Sequence, residues 1–223
     1  MTPIEQMRNA GNAQKALEMS SYHKGLREFL GLTNPQIDDF VKQWRFERDV
    51  AERVNLSAEL WQSNIHEARI AAAKLLIQAR LKPSDEAAWQ LIIAWVPEFD
   101  AWAIADHAAS AGARRLVADP SRLDTVEKWV HSDHMWSRRA ALVMTLPWAK
   151  LNHLSSDQHK DRERILGWAA SYVSDPEWFI QKSIGWWIRD LSKHDPARAQ
   201  QFLEKHSHEM AAFSRKIAAK YLA

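Results

Sequence analysis

Cysteine is absent from the 223-residue chain, which removes disulfides, thiol nucleophiles and every cysteine-based zinc site. Glycine and proline are scarce, at 6 and 8 residues, and so low a supply of turn-formers argues against a turn-rich all-β fold. No apolar run approaches the ~20 residues of a membrane span. The opening MTPIEQMRNAGNAQKALEM lacks the apolar core of a secretory leader, so a cytoplasmic protein is expected. Neither a Gly-rich phosphate loop nor a nucleophile elbow occurs.

What the chain does contain is a soluble, core-forming composition, 46% hydrophobic and 26% charged. The charge is unevenly placed. Residues 1–111 carry 12 Lys+Arg against 15 Asp+Glu, and residues 112–223 carry 18 against 13. An acidic half joined to a basic half fits an oriented anionic partner, and it also fits ordinary surface variation. Twelve tryptophans exceed what packing a helical protein of this size needs.

Helical signals recur throughout. Asn34-Pro35 predicts a capped start, with Ile37, Phe40, Val41 and Trp44 on one apolar face. Ser57 is expected to cap a short helix carrying Leu60 and Trp61, and a further helix is expected over 65–80. Ser84 opens another, with Trp89, Ile92, Ile93 and Val96 on its stripe and Pro97 as its stop. Asp119-Pro120, Asp175-Pro176 and Asp195-Pro196 repeat the cap-then-proline start. Helices are also expected over 135–146, 156–173 and 210–222. No comparable segment alternates with a period of two. These elements give an all-α fold of about ten or eleven helices, either a globular bundle or an α-solenoid. HEAT-type pairs of about 40–47 residues would number about five. A solenoid offers a long concave face suited to an extended anion, and no linker composition divides residues 1–223, so one domain is expected.

Three segments concentrate the polar-aromatic chemistry. Trp102 and Asp106 are four apart in DAWAIADHAA and share a helix face. Trp136, Arg138 and Arg139 lie in HMWSRRAALV, and Trp186 and Arg189 are three apart in FIQKSIGWWIRDLSK. An aromatic ring beside a carboxylate, with arginines, suits a cationic or sugar-like group on a phosphate backbone. By periodicity alone the same pairs arise in any tryptophan-rich helix, with the rings in the core and Asp106 as a cap or ion-pair partner. His131 and His134 have the spacing of a metal pair but no third ligand. His206 and His208 lie near a helix end, Arg114-Arg115 reads as a solvated helix end, and His107 points off the Asp106 face.

The block WFIQKSIGWWIRDLSKHDPARAQQFLEKH, residues 178–206, resembles the penultimate repeat of the AlkD family of bacterial DNA glycosylases, which are built of HEAT-like repeats. The tail FSRKIAAKYL (213–222), MWSRRAALVMTL (135–146), WAIAD (102–106), and Met19, Tyr22, Lys24 and FLGL (29–32) are similar to other parts of that family. The resemblance implies a monofunctional glycosylase for cationic N3- or N7-alkylpurines in double-stranded DNA. It implies Asp106 as the catalytic carboxylate, Trp102 and Trp186 against the damaged nucleotide, and Arg139, Arg189, Arg138, Trp187 and Lys24 on the DNA. No cofactor, metal or membrane is implied, and a monomer is expected. The alternative is a non-catalytic HEAT-repeat protein that binds damaged or branched DNA. The chain departs from the family's pattern in having Ala101 and Ala103 beside Trp102 and in doubling Trp186-Trp187. Asp100 is placed to replace the lost acid.

Overall fold

Fourteen α-helices and no strand occur among the described residues of the computed structural model, which are 1–24 and 27–222. The chain divides into two compact units, Met1–Ala118 and Asp119–Ala223. The first holds α1 (Pro3–Asn9), α2 (Ala13–His23), α3 (Asn34–Glu47), α4 (Val50–Gln62), α5 (His66–Leu75), α6 (Glu86–Trp95) and α7 (Trp102–Ala118). The second holds α8 (Leu123–Glu127), α9 (Met135–Met144), α10 (Leu146–Ala149), α11 (Ser156–Ser171), α12 (Trp178–His194), α13 (Pro196–His206) and α14 (Ala212–Ala218). Among the described residues no helix is long and apolar enough to cross a membrane.

Contacts follow the logic of stacked helix pairs. In the first unit α3, α5 and α7 pack in a row, α4 touches α6, and α4·α5 and α6·α7 join the rows. In the second, α12 packs on α9 and α14 and is backed by α10 and α13. This is a solenoid-like all-α fold: each helix buries one stripe against its sequence neighbour and one against the next pair. Seven of the twelve tryptophans, Trp44, Trp61, Trp89, Trp95, Trp148, Trp168 and Trp187, are buried. Trp61 and Trp95 stack in parallel with centroids 4.3 Å apart.

Local starts and stops explain where the expected helices shift. The cap of α3 is Thr33, not Asn34, because Thr33 is extended and its backbone N–H donates to Gln36 Oε1 at 3.0 Å. Ser57 caps nothing. The helix begins eight residues earlier, at the reciprocal Asp49–Glu52 box. Ser57 is wholly buried inside α4 and donates to the Ala72 carbonyl at 3.2 Å. The helix expected over 65–80 ends at Leu75. Guanidinium groups take carbonyls on either side of that point, Arg45 bonding Lys74 in the last turn and Arg115 bonding Gln78 and Ala79 beyond it. Arg115 is therefore no solvated helix end: it is fully buried and also pairs with Asp85 at 3.5 Å.

In the second unit Thr145 bends its hydroxyl back to the Ala141 and Leu142 carbonyls, ending α9 before Pro147 enters the first turn of α10. Asp119-Pro120 opens a single 3₁₀ turn and then the short α8, so Trp129 and Val130 lie beyond the helix. Asp195 caps α13 as expected, accepting from Arg198 N at 3.1 Å. After Asp175-Pro176 the helix waits until Trp178, and Asp175 instead accepts from Glu177 N at 2.9 Å.

Candidate functional site

In the first unit the site begins where α7 begins. Ala103, Ile104, Ala105, Ala108 and Ala109 are buried, so the remaining stripe, Trp102, Asp106 and Ser110, is turned outward. Small side chains on the buried side let α7 sit close on α5 and α6. Trp102 is 37% exposed at the first helical position, Asp106 is half-buried one turn on, and Ser110 donates its hydroxyl to the Asp106 carbonyl at 2.8 Å. The indole of Trp102 meets Tyr22 edge-on at 6.4 Å and tilts against His23 at 5.4 Å. Asp100 is occupied, paired with Arg27, so it is not a free second acid. His107 lines a different groove, with Asp38 and Lys74. Burial first, then the Lys74 charge, pushes its pKa down to about 4 against the opposing pull of Asp106, so it is neutral at pH 7.

In the second unit the adjacent Trp186 and Trp187 lie on different sides of α12. Ile184, Trp187, Ile188 and Leu191 form its buried stripe, and Trp187 is completely enclosed. Trp187 was expected on the DNA and lies instead in the core. Adjacent helical residues diverge by about 100°, so Trp186 is the ring left half-exposed. Arg139 is 1% exposed. Its guanidinium lies 4.9 Å from the Trp186 ring and 5.6 Å from Phe179, and donates to the Phe179 carbonyl at 2.7 Å. Arg139 thus reaches a ring and a backbone carbonyl in the interior rather than standing at the surface. Arg138 is held to Asp175 at 3.2 Å and to the Ser132 and Asp133 carbonyls at 2.8 and 3.0 Å. Arg189 is half-exposed and fixed by Asp190 at 2.8 Å.

The sequence reading missed the lysines around this ring. Lys182 Nζ lies 4.5 Å from the Trp178 ring and 5.2 Å from Trp186. Trp186 and Arg189 line a groove of about 470 Å³ with Phe213, Lys216 and Lys220. The spacing signal was present: Lys182 is four after Trp178 and four before Trp186, and Lys216 is four before Lys220. The groove exists because α14 lies close on α12 at Gly185, where a Cβ would stand 3.0 Å from the Ser214 carbonyl and 3.1 Å from Ile217. Ser214 ties the two helices by donating to the Gln181 carbonyl at 2.7 Å. Lys24 is exposed at the end of α2, in the left-handed conformation with φ 52°.

Trp102 and Asp106 therefore share one surface of the first unit, and Trp186 and Arg189 share one surface of the second, joined by Lys182, Lys216 and Lys220. The first surface combines a carboxylate with an aromatic ring, chemistry suited to a sugar carrying positive charge. The second combines cations with ring faces, suited to a phosphate backbone. Of the two histidines with the spacing of a metal pair, His134 bonds Ser137 Oγ through Nδ1 at 2.9 Å. No cluster of three metal-binding side chains occurs among the described residues.

The sequence model of the family described as DNA alkylation repair enzyme matches residues 4–222. A solved structure described as a predicted DNA alkylation repair enzyme from Enterococcus faecalis superposes with a TM-score of 0.78 at 22% identity, covering 96% of this chain and 97% of the other. The smu.31 protein of Streptococcus mutans gives 0.63 at 17%, over 97% and 100% of the two chains. AlkD2 of Streptococcus mutans gives 0.62 at 18%, over 93% and 97%. At these identities the likeness establishes the fold. No curated protein matches the chain.

Proposed function

Because the chain belongs to the DNA alkylation repair enzyme family, we propose that it is a monofunctional DNA glycosylase. In this reading it hydrolyses the N-glycosidic bond of cationic N3- or N7-alkylpurines in duplex DNA. The observation that carries the proposal is the start of α7, where an exposed tryptophan and a carboxylate stand one turn apart on the outward face. Residues 1–223 are read as one functional domain acting as a monomer, without metal or cofactor.

The chemistry follows from the leaving group. A purine alkylated at N3 or N7 is positively charged, and breaking its C1′–N bond returns the bonding electrons to the ring and leaves it neutral. No acid is needed at the base. The barrier lies in the positive charge that builds on the deoxyribose and in bringing water to C1′. The Asp106 carboxylate stabilises that charge electrostatically and orients the water, which adds its oxygen to C1′ and releases a proton. Trp102 holds the deoxyribose by ring-face contact, and in the second unit Trp186 offers its ring face to the strand. Arg189, Lys182, Lys216, Lys220 and Lys24 hold phosphates. Arg139 and Arg138, engaged by neighbouring groups, support this surface, Arg139 by setting the Trp186 ring.

The test is release of 7-methylguanine and 3-methyladenine from methylated duplex DNA by wild type and Asp106→Asn. Release by wild type and its collapse in the variant, with binding retained, are expected. Uracil and hypoxanthine should stay in place, because neither is a cationic leaving group. Binding without release of any base would instead establish a non-catalytic DNA-binding protein.

A further inference from the structure

Beside Trp102 the first unit encloses a second, smaller cavity of about 220 Å³, lined by His23, Lys24, Arg27, Phe29, His66 and Asp100. Its walls hold an unusual set of polar atoms. His66 is 1% exposed, yet neither Nδ1 nor Nε2 has a hydrogen-bond partner among the described residues. The same holds for Nδ1 of His23 and Nη1 of Arg27. Arg27 has a side chain only 6% exposed, and its other terminal nitrogen is taken by Asp100. The His66 ring stacks on Phe29 at 4.5 Å and leans on His23 at 4.5 Å, so its orientation is fixed by packing.

Leaving a buried polar atom without a partner is costly, and four such atoms belong to residues that line this cavity. Their character identifies what is missing. Burial pushes the His66 pKa down to about 3 and lowers that of His23, so both rings are neutral at pH 7 and each supplies one N–H donor. Arg27 supplies a charged donor and no acceptor. The neighbouring carboxylate of Glu67 is already engaged by the N–H groups of Leu30, Gly31 and Leu32 at 3.0, 2.7 and 3.2 Å. Three donors, one of them the Arg27 guanidinium, beside an exposed lysine suit an acceptor-only, negatively charged group, which leaves only the second His66 nitrogen, an acceptor, unfilled. We propose that this cavity is a phosphate site in which Arg27 Nη1, His66 and His23 donate to phosphate oxygens, with Lys24 at the mouth.

The occupant is a backbone phosphate of the DNA strand that meets Trp102, whose ring is 5.4 Å from that of His23. This assignment rests on the proposed action on DNA. A seated phosphate would then fix Trp102 through His23, giving the exposed ring a reason to be ordered on binding. His23, Arg27 and His66 are binding and positioning residues in this scheme, and none touches the reacting sugar.

Histidine ring ¹⁵N signals of the wild-type protein report the cavity without mutation. They are followed during titration with inorganic phosphate, and separately with an undamaged 12-base-pair duplex. Shifts of His66 and His23 with phosphate at millimolar concentration, reproduced by the duplex at far lower concentration, are the expected result. Shifts with phosphate that the duplex does not reproduce, although fluorescence anisotropy shows the duplex bound, would assign the cavity to free phosphate and overturn the backbone assignment. Shifts with neither, again with the duplex bound, would overturn the phosphate site altogether and leave the cavity to water. Failure of both this duplex and a methylated one to bind at all would refute action on DNA and with it the backbone assignment, and the inorganic phosphate titration would still decide the cavity. Two variants give an independent readout. His66→Phe preserves ring stacking, and Arg27→Met preserves stem length. Arg27→Met removes the cationic contact and should flatten the salt dependence of duplex binding by about 0.9 in log–log slope, whereas His66→Phe removes a neutral donor and should weaken binding with the slope kept; an unchanged slope in Arg27→Met together with unchanged affinity in His66→Phe would contradict the proposal.

Discussion

Trp102 in the first unit rests against uncharged rings, Tyr22 at 6.4 Å and His23 at 5.4 Å. Trp186 in the second lies against cations, with Arg139 at 4.9 Å and Lys182 at 5.2 Å. The same side chain is thus supported in opposite ways. Around Asp106, the neighbouring His107 and the more distant His23 and His66 are neutral through burial. A carboxylate meant to stabilise a transient positive sugar gains from having no protonated imidazole beside it. In the second unit the cations make the ring face itself electropositive ground for a phosphate-bearing strand. In the proposed reading the reacting sugar falls to the first unit and most of the phosphate contacts to the second, so each share can be damaged alone.

The largest expected effect is on rate. Asp106→Asn keeps the shape of α7 and removes the charge, so single-turnover excision of 7-methylguanine should slow by about 10²–10³-fold while duplex affinity holds. Trp186→Ala should do the reverse in emphasis, weakening binding first. If both variants lose rate and affinity in the same proportion, the division between the units fails.

Gly185→Val attacks only the second unit. A side chain there would press on the Ser214 carbonyl and Ile217, and overpacking of this kind costs about 1–3 kcal/mol. Chemical denaturation should show that loss. The groove between Trp186 and Lys216 should open, and duplex binding should weaken. Full stability and affinity would mean that α14 can be displaced without consequence.

Acid should single out the first unit. His66 and His107 have folded pKa values of about 3 and about 4 against 6.5 in the unfolded chain. Below pH 6.5 the unfolded chain binds protons that the folded chain refuses, so stability falls with pH. Each histidine contributes about 1.4 kcal/mol per pH unit until its folded pKa is reached. Denaturation at pH 7, 6 and 5 gives the slope, and His66→Phe should remove that residue's share. A slope unaltered by this variant would place the acid sensitivity elsewhere.

The smallest effect is electrostatic. Lys216→Ala should flatten the log–log salt dependence of duplex binding by about 0.9 and leave the chemical step untouched. A changed excision rate at saturating enzyme would show that the second unit enters the chemistry.

Much of this arrangement was legible in the sequence, and the failures have physical causes. Proline after Asp195 marked the start of α13 because the fixed φ and missing N–H suit a first turn. The spacing of Trp102 and Asp106 placed both on one face because every fourth residue returns to it. The identity of the core tryptophan in Trp186-Trp187 was also written there, since Ile180, Ile184, Trp187, Ile188 and Leu191 follow helical periodicity and all are buried. Resemblance pointed to Arg139 as a DNA contact, and nothing in RRAALV says that one guanidinium of the two goes inward. Ser57 misled because a serine inside a buried helix stripe has the same signature as a cap until its partner, the Ala72 carbonyl, is seen. The cavity had no sequence signal at all: His23 and His66 are brought together by helices far apart in the chain, and their value lies in lacking partners.

Glu67 gives one feature of the first unit a further consequence. Its carboxylate, wholly buried, accepts from three successive backbone N–H groups, at Leu30, Gly31 and Leu32. These residues lie in no helix. A connecting segment normally frays and trades its amide protons with solvent in seconds, but here a single charge holds three of them away from water. Leu30, Gly31 and Leu32 should therefore keep their protons as long as the centre of α5 does, so that deuterium enters this stretch only when the whole unit opens.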